Sequence, residues 1–174
     1  MKCTDFLAQD HKTILRSLDI LAEMAARVRN GGRIENGDVE TILKFLRVFG
    51  DDCHQTMEES ALFPVLMRSS AAQRRPVRQL LFEHEQERSL VEGLEDALKT
   101  KQGMDFVHYA DRLCELLKNH IYKEENILFG VVEMALTKED DDWVTAEFAK
   151  FRSDPAFVAD LNRLEWKYLR KKTA

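Results

Sequence analysis

Four of the chain's five histidines, His11, His54, His84 and His120, fall one to each of four segments patterned as helices. His54 and His120 each have a glutamate at the fourth position after, Glu58 and Glu124. A step of four on an α-helix returns to nearly the same face, so each pair aims an imidazole and a carboxylate the same way. Both pairs lie on the apolar stripe of their helix, where a carboxylate anion costs on the order of several kcal/mol unless it is paired. Two such carboxylates close together also repel and raise at least one pKa. Few lysines or arginines share these stripes to neutralise them. Metal ions would remove the repulsion, and four imidazoles with two carboxylates inside a helical bundle are the ligand set of a two-metal site. A lone histidine on an apolar face is ordinarily a hydrogen-bonded core residue. The core stripe takes roughly three of every seven positions, so four histidines landing on it independently has a chance of about one in thirty.

The elements that must carry these residues are legible from a 3.6-residue apolar period. The first helix is predicted from about Thr4 or Asp5 to about Arg29, with His11 on the stripe of Leu7, Ile14, Leu15, Leu18 and Leu21. Asn30-Gly31-Gly32 stops it, and Asp38 is a reasonable N-cap for the next helix. The second helix is predicted from about Val39 to Met67, with Pro64 kinking or loosening its last turn, and Ser69 to Arg75 as a break. The third runs from about Pro76 to Lys99, weakened at Gly93, and the fourth from about Asp105 to Leu136. These four segments with short connections predict an all-α, up-down-up-down four-helix bundle over residues 1–136. Residues 137–174 form an aromatic, helical C-terminal extension, with a helix-start box at Thr137-Lys138-Glu139-Asp140 and a break near Ser153-Asp154-Pro155. That extension either covers the bundle or makes a contact with a protein partner or a second copy of the chain.

Composition narrows the field further. The chain has 174 residues, 33% charged and 44% hydrophobic, with 7 Gly and 3 Pro, as expected of one globular helical domain with an extension. Its net charge of −5 argues against nucleic acid as a partner. The cluster Arg74-Arg75-Pro76-Val77-Arg78 reads as a solvated inter-helix turn with the proline at a helix start. No run approaches the roughly 20 apolar residues of a membrane span, and Met1-Lys2-Cys3-Thr4-Asp5 does not begin a secretory signal, so a cytoplasmic location is the expectation. Cys3, Cys53 and Cys114 are too few and too scattered for a disulfide framework and are expected as reduced thiols.

The order of the motif separates families of bundle. Ferritin-like di-iron proteins carry Glu-x-x-His on two helices, whereas here the order is His-x-x-x-Glu. The segments Gln9-Asp10-His11-Lys12, His54-Gln-Thr-Met-Glu58-Glu59-Ser-Ala-Leu-Phe-Pro64, Glu83-His84-Glu85-Gln86-Glu87 and His120-Ile-Tyr-Lys-Glu124-Glu-Asn-Ile-Leu-Phe129 resemble the hemerythrin-like, or HHE cation-binding, family. The resemblance spans about residues 4 to 136. It implies a non-haem di-iron centre, oxo- or hydroxo-bridged, with Glu58 and Glu124 as bridges and His11, His54, His84 and His120 as terminal ligands. Zinc and manganese accept the same donors. The oxygen-carrying members place a second histidine four residues after the third-helix one, and this chain has Arg88 there. A more open centre of that kind suits reaction with oxygen, nitric oxide or peroxide better than storage of oxygen. Two further roles follow from the resemblance. One is repair of, or iron donation to, iron–sulfur centres, although those members add an N-terminal cysteine-bearing domain not seen here. The other is sensing of oxygen or iron through a protein partner on the aromatic tail.

Other residues near the motif are expected to be bystanders. His108 reads as a surface histidine, and Glu59 and Glu125 rotate about 100° away from their stripes toward a solvated face. Tyr122 faces away as well. Cys53 and Cys114 read as packing residues. Arg88 either pairs with a bridging or bound anion or points outward beside Glu87.

Overall fold

The computed structural model describes residues 2–68, 70–151 and 153–170, and every regular element among them is helical. Helix α1 is Cys3–Arg29, its start closed by Asp5, whose carboxylate accepts the Lys2 backbone N–H at 2.8 Å. Helix α2 covers residues 36–66 and is not a plain α-helix. It runs as α over Asn36–Phe45, as π over Leu46–Gln55 and Glu58–Leu62, and as α again over Phe63–Leu66, with Pro64 in that last turn. Helix α3 is Ala71–Lys99. Helix α4 covers residues 103–135, again with a π segment, Glu124–Leu128, between α stretches Gly103–Lys123 and Phe129–Ala135. Helices α5, Lys138–Phe148, and α6, Ala156–Leu169, complete the chain.

Each long helix packs on its neighbours in chain order, and α1 also packs on α4, so the four enclose a common interior. The apolar core lies in two parts. One is built around Leu18, Leu21, Ile42, Leu94 and Leu113, the other around Leu7, Leu62, Phe63, Leu80 and Leu128. His11, His54, His84 and His120 are buried in the interval between the two on all four long helices. A polar layer thus divides the core across its width.

Three details differ from the sequence reading. The third helix starts at Ala71 rather than Pro76, because Ser70 and Gln73 form a reciprocal capping box ahead of the arginines. Arg74, Arg75 and Arg78 therefore sit on helix rather than in a turn, and Pro76 lies inside the helix, where Ala72 is exposed and its freed carbonyl can meet water. Asp38 does not cap α2, which begins at Asn36; its buried carboxylate faces α6 instead. Gly93 has a packing reason, since a Cβ there would lie 2.6 Å from the Tyr109 ring of α4.

The aromatic extension folds as its start box and break foretold, with Thr137 and Asp140 capping α5. It covers the bundle. Val144 and Phe148 enter the second core cluster, and Leu161, Leu164 and Tyr168 enter the first, packed mainly on α1. Asp38 accepts hydrogen bonds from Lys167 at 2.5 Å, the Tyr168 hydroxyl at 2.8 Å and Arg163 at 3.1 Å. Asp38→Ala leaves the buried Tyr168 hydroxyl without its acceptor, and we expect a loss of about 1–3 kcal/mol in denaturant unfolding. An unchanged midpoint would show that this cluster does not hold α6 in place.

No helix among the described residues is long and apolar enough to cross a membrane.

Candidate metal centre

Both His-x-x-x-Glu pairs stand where the helix changes its winding. Glu58 and Glu124 each open a five-residue π segment, and His54 lies at the end of the longer one before it. Such local widening of an α-helix is a frequent feature of functional sites, because it turns side chains inward that regular winding would carry past. The two stretches are similar in sequence, His-x-x-x-Glu-Glu-x-x-Leu-Phe in both, and they fold alike.

The six residues singled out by spacing come together. Side-chain donor atoms of His11, His54, Glu58 and Glu124 lie within 4.8 Å of one another, as do those of Glu58, His84, His120 and Glu124. The two glutamates belong to both groups. The imidazole Nε2 atoms point inward: His11 Nε2 is 3.0 Å from Glu124, His54 Nε2 3.9 Å from Glu58, His84 Nε2 3.5 Å from Glu58 and His120 Nε2 3.3 Å from Glu124. His84 and His120 bring their Nε2 atoms to 3.2 Å, a separation that needs a shared proton or a common ion. Both oxygens of Glu58 and of Glu124, and His11 Nε2, are buried without a hydrogen-bond partner.

The outward Nδ1 atoms are all taken, and by carboxylates on a different helix. Asp10 of α1 serves His54 on α2 at 3.3 Å, and Glu59 of α2 serves His84 on α3 at 2.7 Å. Glu83 of α3 serves His120 on α4 at 3.0 Å, and Glu125 of α4 serves His11 on α1 at 3.0 Å. The set closes into a ring in which each long helix fixes the tautomer and ring plane of the next helix's imidazole, leaving Nε2 free as the inward donor. Phe63 and Phe129, at matching places in the two similar stretches, stack on His84 and His11 at 5.8 and 5.9 Å.

The ring corrects the reading of Glu59 and Glu125. They do rotate off their own stripe, and Glu125 is exposed as expected, but each also reaches the imidazole of a neighbouring helix. It also answers for Arg88, which reaches no inward carboxylate. Its guanidinium bonds Glu59 and Asp51, both at 2.8 Å, and Glu85 at 2.7 Å. Lys123 binds Glu83 in the same fashion. The carboxylates behind His84 and His120 are thus backed by cations, whereas those behind His11 and His54 make no Lys or Arg ion pair among the described residues. Asp10, Glu59, Glu83 and Glu125 each adjoin a proposed ligand in sequence, and that adjacency is the only signal that could have found them.

The electrostatics follow from this arrangement. Burial works against charge on His84, but the nearby Glu58 carboxylate and the hydrogen bond to Glu59 outweigh it and lift its pKa to about 9. His11 is raised in the same way by Glu124, against its burial, and His120 is raised well above its ordinary range by Glu124 and Glu83. Glu124 resists its burial because His120 and His11 hold it well below the usual carboxylate range. Glu83, likewise buried, is brought down to about 2 by His120 and Lys123. Glu87 is the exception, since burial pushes it up to about 7. Burial also raises the Cys114 thiol to about 11, in keeping with a packing role.

A donor set of four oriented imidazoles and two carboxylates with unpartnered oxygens fits two cations better than it fits any internal hydrogen-bond scheme. The model of the hemerythrin HHE cation-binding domain matches residues 3–132. The chain belongs to the hemerythrin family. No curated protein and no solved structure matches it. Within this hemerythrin-family chain the matched span ends inside α4, so α5 and α6 lie beyond it. His108 and Tyr122 are exposed and outside the cluster, as expected from the sequence.

Proposed function

We propose that the chain is a non-haem di-iron protein that binds or reacts with a small ligand: oxygen, nitric oxide or peroxide. His11 and His54 would hold one ion and His84 and His120 the other, with Glu58 and Glu124 available to both, in an up-down-up-down bundle. The observation that carries this reading is the four inward Nε2 atoms around two carboxylates whose oxygens have no other partner. Imidazole and carboxylate donors suit iron, and the family membership favours it over zinc or manganese.

When bound, a pair of iron ions supplies electrons and an open coordination position. The chain's own residues do the rest. Two imidazoles and two shared carboxylates per ion would leave positions free, since Arg88, standing where oxygen-carrying relatives have a further histidine, is turned away toward Glu59 and Asp51. The carboxylate ring holds every imidazole as an Nε2 donor, and the apolar clusters on either side keep bulk water out.

Metal analysis of the purified protein tests the reading directly. It requires about two irons per chain, with a visible charge-transfer band that shifts on exposure to nitric oxide or peroxide. Failure to take up iron under anaerobic reconstitution, together with no change in stability on chelation, would overturn it. The ring adds a graded expectation. Glu83→Gln keeps the size of the side chain but weakens the hold on His120, and metal affinity should fall about 10–100-fold by chelator competition. An affinity equal to the parent's would remove Glu83 from that role.

A further inference from the structure

The centre is built on a two-fold repeat, and four of the residues that depart from that repeat meet in one place. Asp10-His11 with His54 to Phe63 corresponds to Glu83-His84 with His120 to Phe129. Three residues after the first histidine of each half stand Ile14 and Glu87; one residue after the second stand Gln55 and Ile121. All four line a single cavity of about 30 Å³, which also touches His54 and His120. Ile14 and Ile121 make one wall apolar, while Gln55 and Glu87 make the other polar. All four are buried. The fold accepts isoleucine at the equivalent positions of the other half, so packing does not call for the polar pair.

The hydrogen bonding of that pair is incomplete. The Gln55 amide donates to one oxygen of Glu87, and afterwards Gln55 Oε1 and Glu87 Oε1, the latter 3.7 Å from His120 Nδ1, remain buried with no hydrogen-bond partner. Leaving a buried acceptor unpaired costs about 1–3 kcal/mol. On its polar side the cavity therefore presents two oxygens without hydrogen-bond partners, in a space for roughly two water-sized groups. Its occupant must bring its own hydrogens. Oxygen and nitric oxide have none, and each would set lone pairs against the two oxygens. Hydrogen peroxide has two oxygen atoms and two hydrogens to donate. A single water, which also donates two, fills only part of the space, whereas peroxide places both donors on one molecule that spans it.

We propose that this cavity is a subsite for a protic peroxide, with Glu87 Oε1 and Gln55 Oε1 accepting its two O–H hydrogens while it lies against His54 and His120. This deepens the proposed function and rests on the metal reading, since the two histidines belong one to each half of the centre.

The test copies the symmetric half with the double variant Gln55→Ile, Glu87→Ile and adds the near-isosteric Glu87→Gln. Iron content is measured first, then the rate of the spectral change with hydrogen peroxide and the binding of nitric oxide to the ferrous protein. In the double variant the peroxide rate should fall roughly tenfold or more, the effect of losing two hydrogen bonds, with nitric oxide binding unchanged or tighter. Glu87→Gln should move the ratio of the two in the same direction. Zinc-loaded double variant should unfold at a higher denaturant midpoint than the parent, because two unpaired buried oxygens are gone. A peroxide-to-nitric oxide ratio unchanged in iron-loaded variants would overturn the subsite alone, as would a double variant that is less stable, which assigns the pair to packing. If the double variant holds no iron, the ratio in Glu87→Gln decides by the same criterion. A parent protein that takes up no iron would instead remove the metal reading on which the subsite rests.

Discussion

On the proposed di-iron reading, Glu124→Gln is expected to lower the iron bound by the purified protein from about two ions per chain to less than one, while leaving the helical content of the chain intact. Glu124 is fully buried and belongs to both donor groups, with His11 at 3.0 Å on one side and His120 at 3.3 Å on the other. An amide has the same shape but one good donor oxygen and no charge, so neither half keeps its anion. The change therefore acts on two sites at once, unlike loss of any single histidine. The signature is in the difference between loaded and metal-free protein. Binding to the folded state alone adds stability in proportion to the logarithm of ligand over dissociation constant, so the rise in thermal midpoint that iron gives the parent should largely vanish in the variant. His108→Ala, at an exposed residue outside the cluster, provides the control. Full iron occupancy in Glu124→Gln would refute the shared-carboxylate arrangement.

Metal affinity should climb steeply between pH 6.5 and 9, and the metal-free protein should lose stability over the same interval. His84 has its pKa lifted from 6.5 to about 9, and His11 and His120 are raised too. A raised imidazole contributes stability that is complete below its unfolded value and disappears as pH climbs through its folded value, so the metal-free fold weakens from about 6.5 toward 9. The depressed carboxylates act on the other side. Glu124 and Glu83 contribute stability above about 4.5 that is lost as pH falls through their folded values. Glu87, raised to about 7, already loses its contribution from about 4.5 upward, so the metal-free protein is most stable near pH 4.5 to 5. Metal ions displace the imidazole protons, so apparent affinity gains up to about tenfold per pH unit for every proton released. Competition against a chromogenic chelator across pH 6–9 measures this slope, and chemical unfolding of stripped protein measures the stability. A flat affinity would mean that the histidines are not the atoms the metal displaces protons from.

The sequence carried the ligands because burial and periodicity act within one helix. His54 with Glu58 and His120 with Glu124 share a face by their spacing alone, and the apolar neighbours of all four histidines declare that face buried. The same reasoning found the four long helices and the Thr137–Asp140 cap, since caps are written in residues three apart. It missed the Ser70–Gln73 cap only because the arginines and Pro76 beyond it read as a turn.

What the sequence could not supply depends on a second helix. A residue one step from a ligand lies about 100° round its own helix, and whether water or a neighbour waits there is a matter of packing. For Asp10, Glu59, Glu83 and Glu125 it was a neighbour's imidazole each time. Arg88 found Glu59 and Asp51, Asp38 found α6, and Gln55 found Glu87 for the same reason. The π winding at Glu58 and Glu124 likewise does not show in a 3.6-residue apolar period. The sequence by itself thus determined which six side chains turn inward on four helices. Only the tertiary structure decided how each is oriented, which carboxylates are backed by cations, and where a ligand-sized space with two unpaired oxygens remains, because those are properties of the gaps between helices.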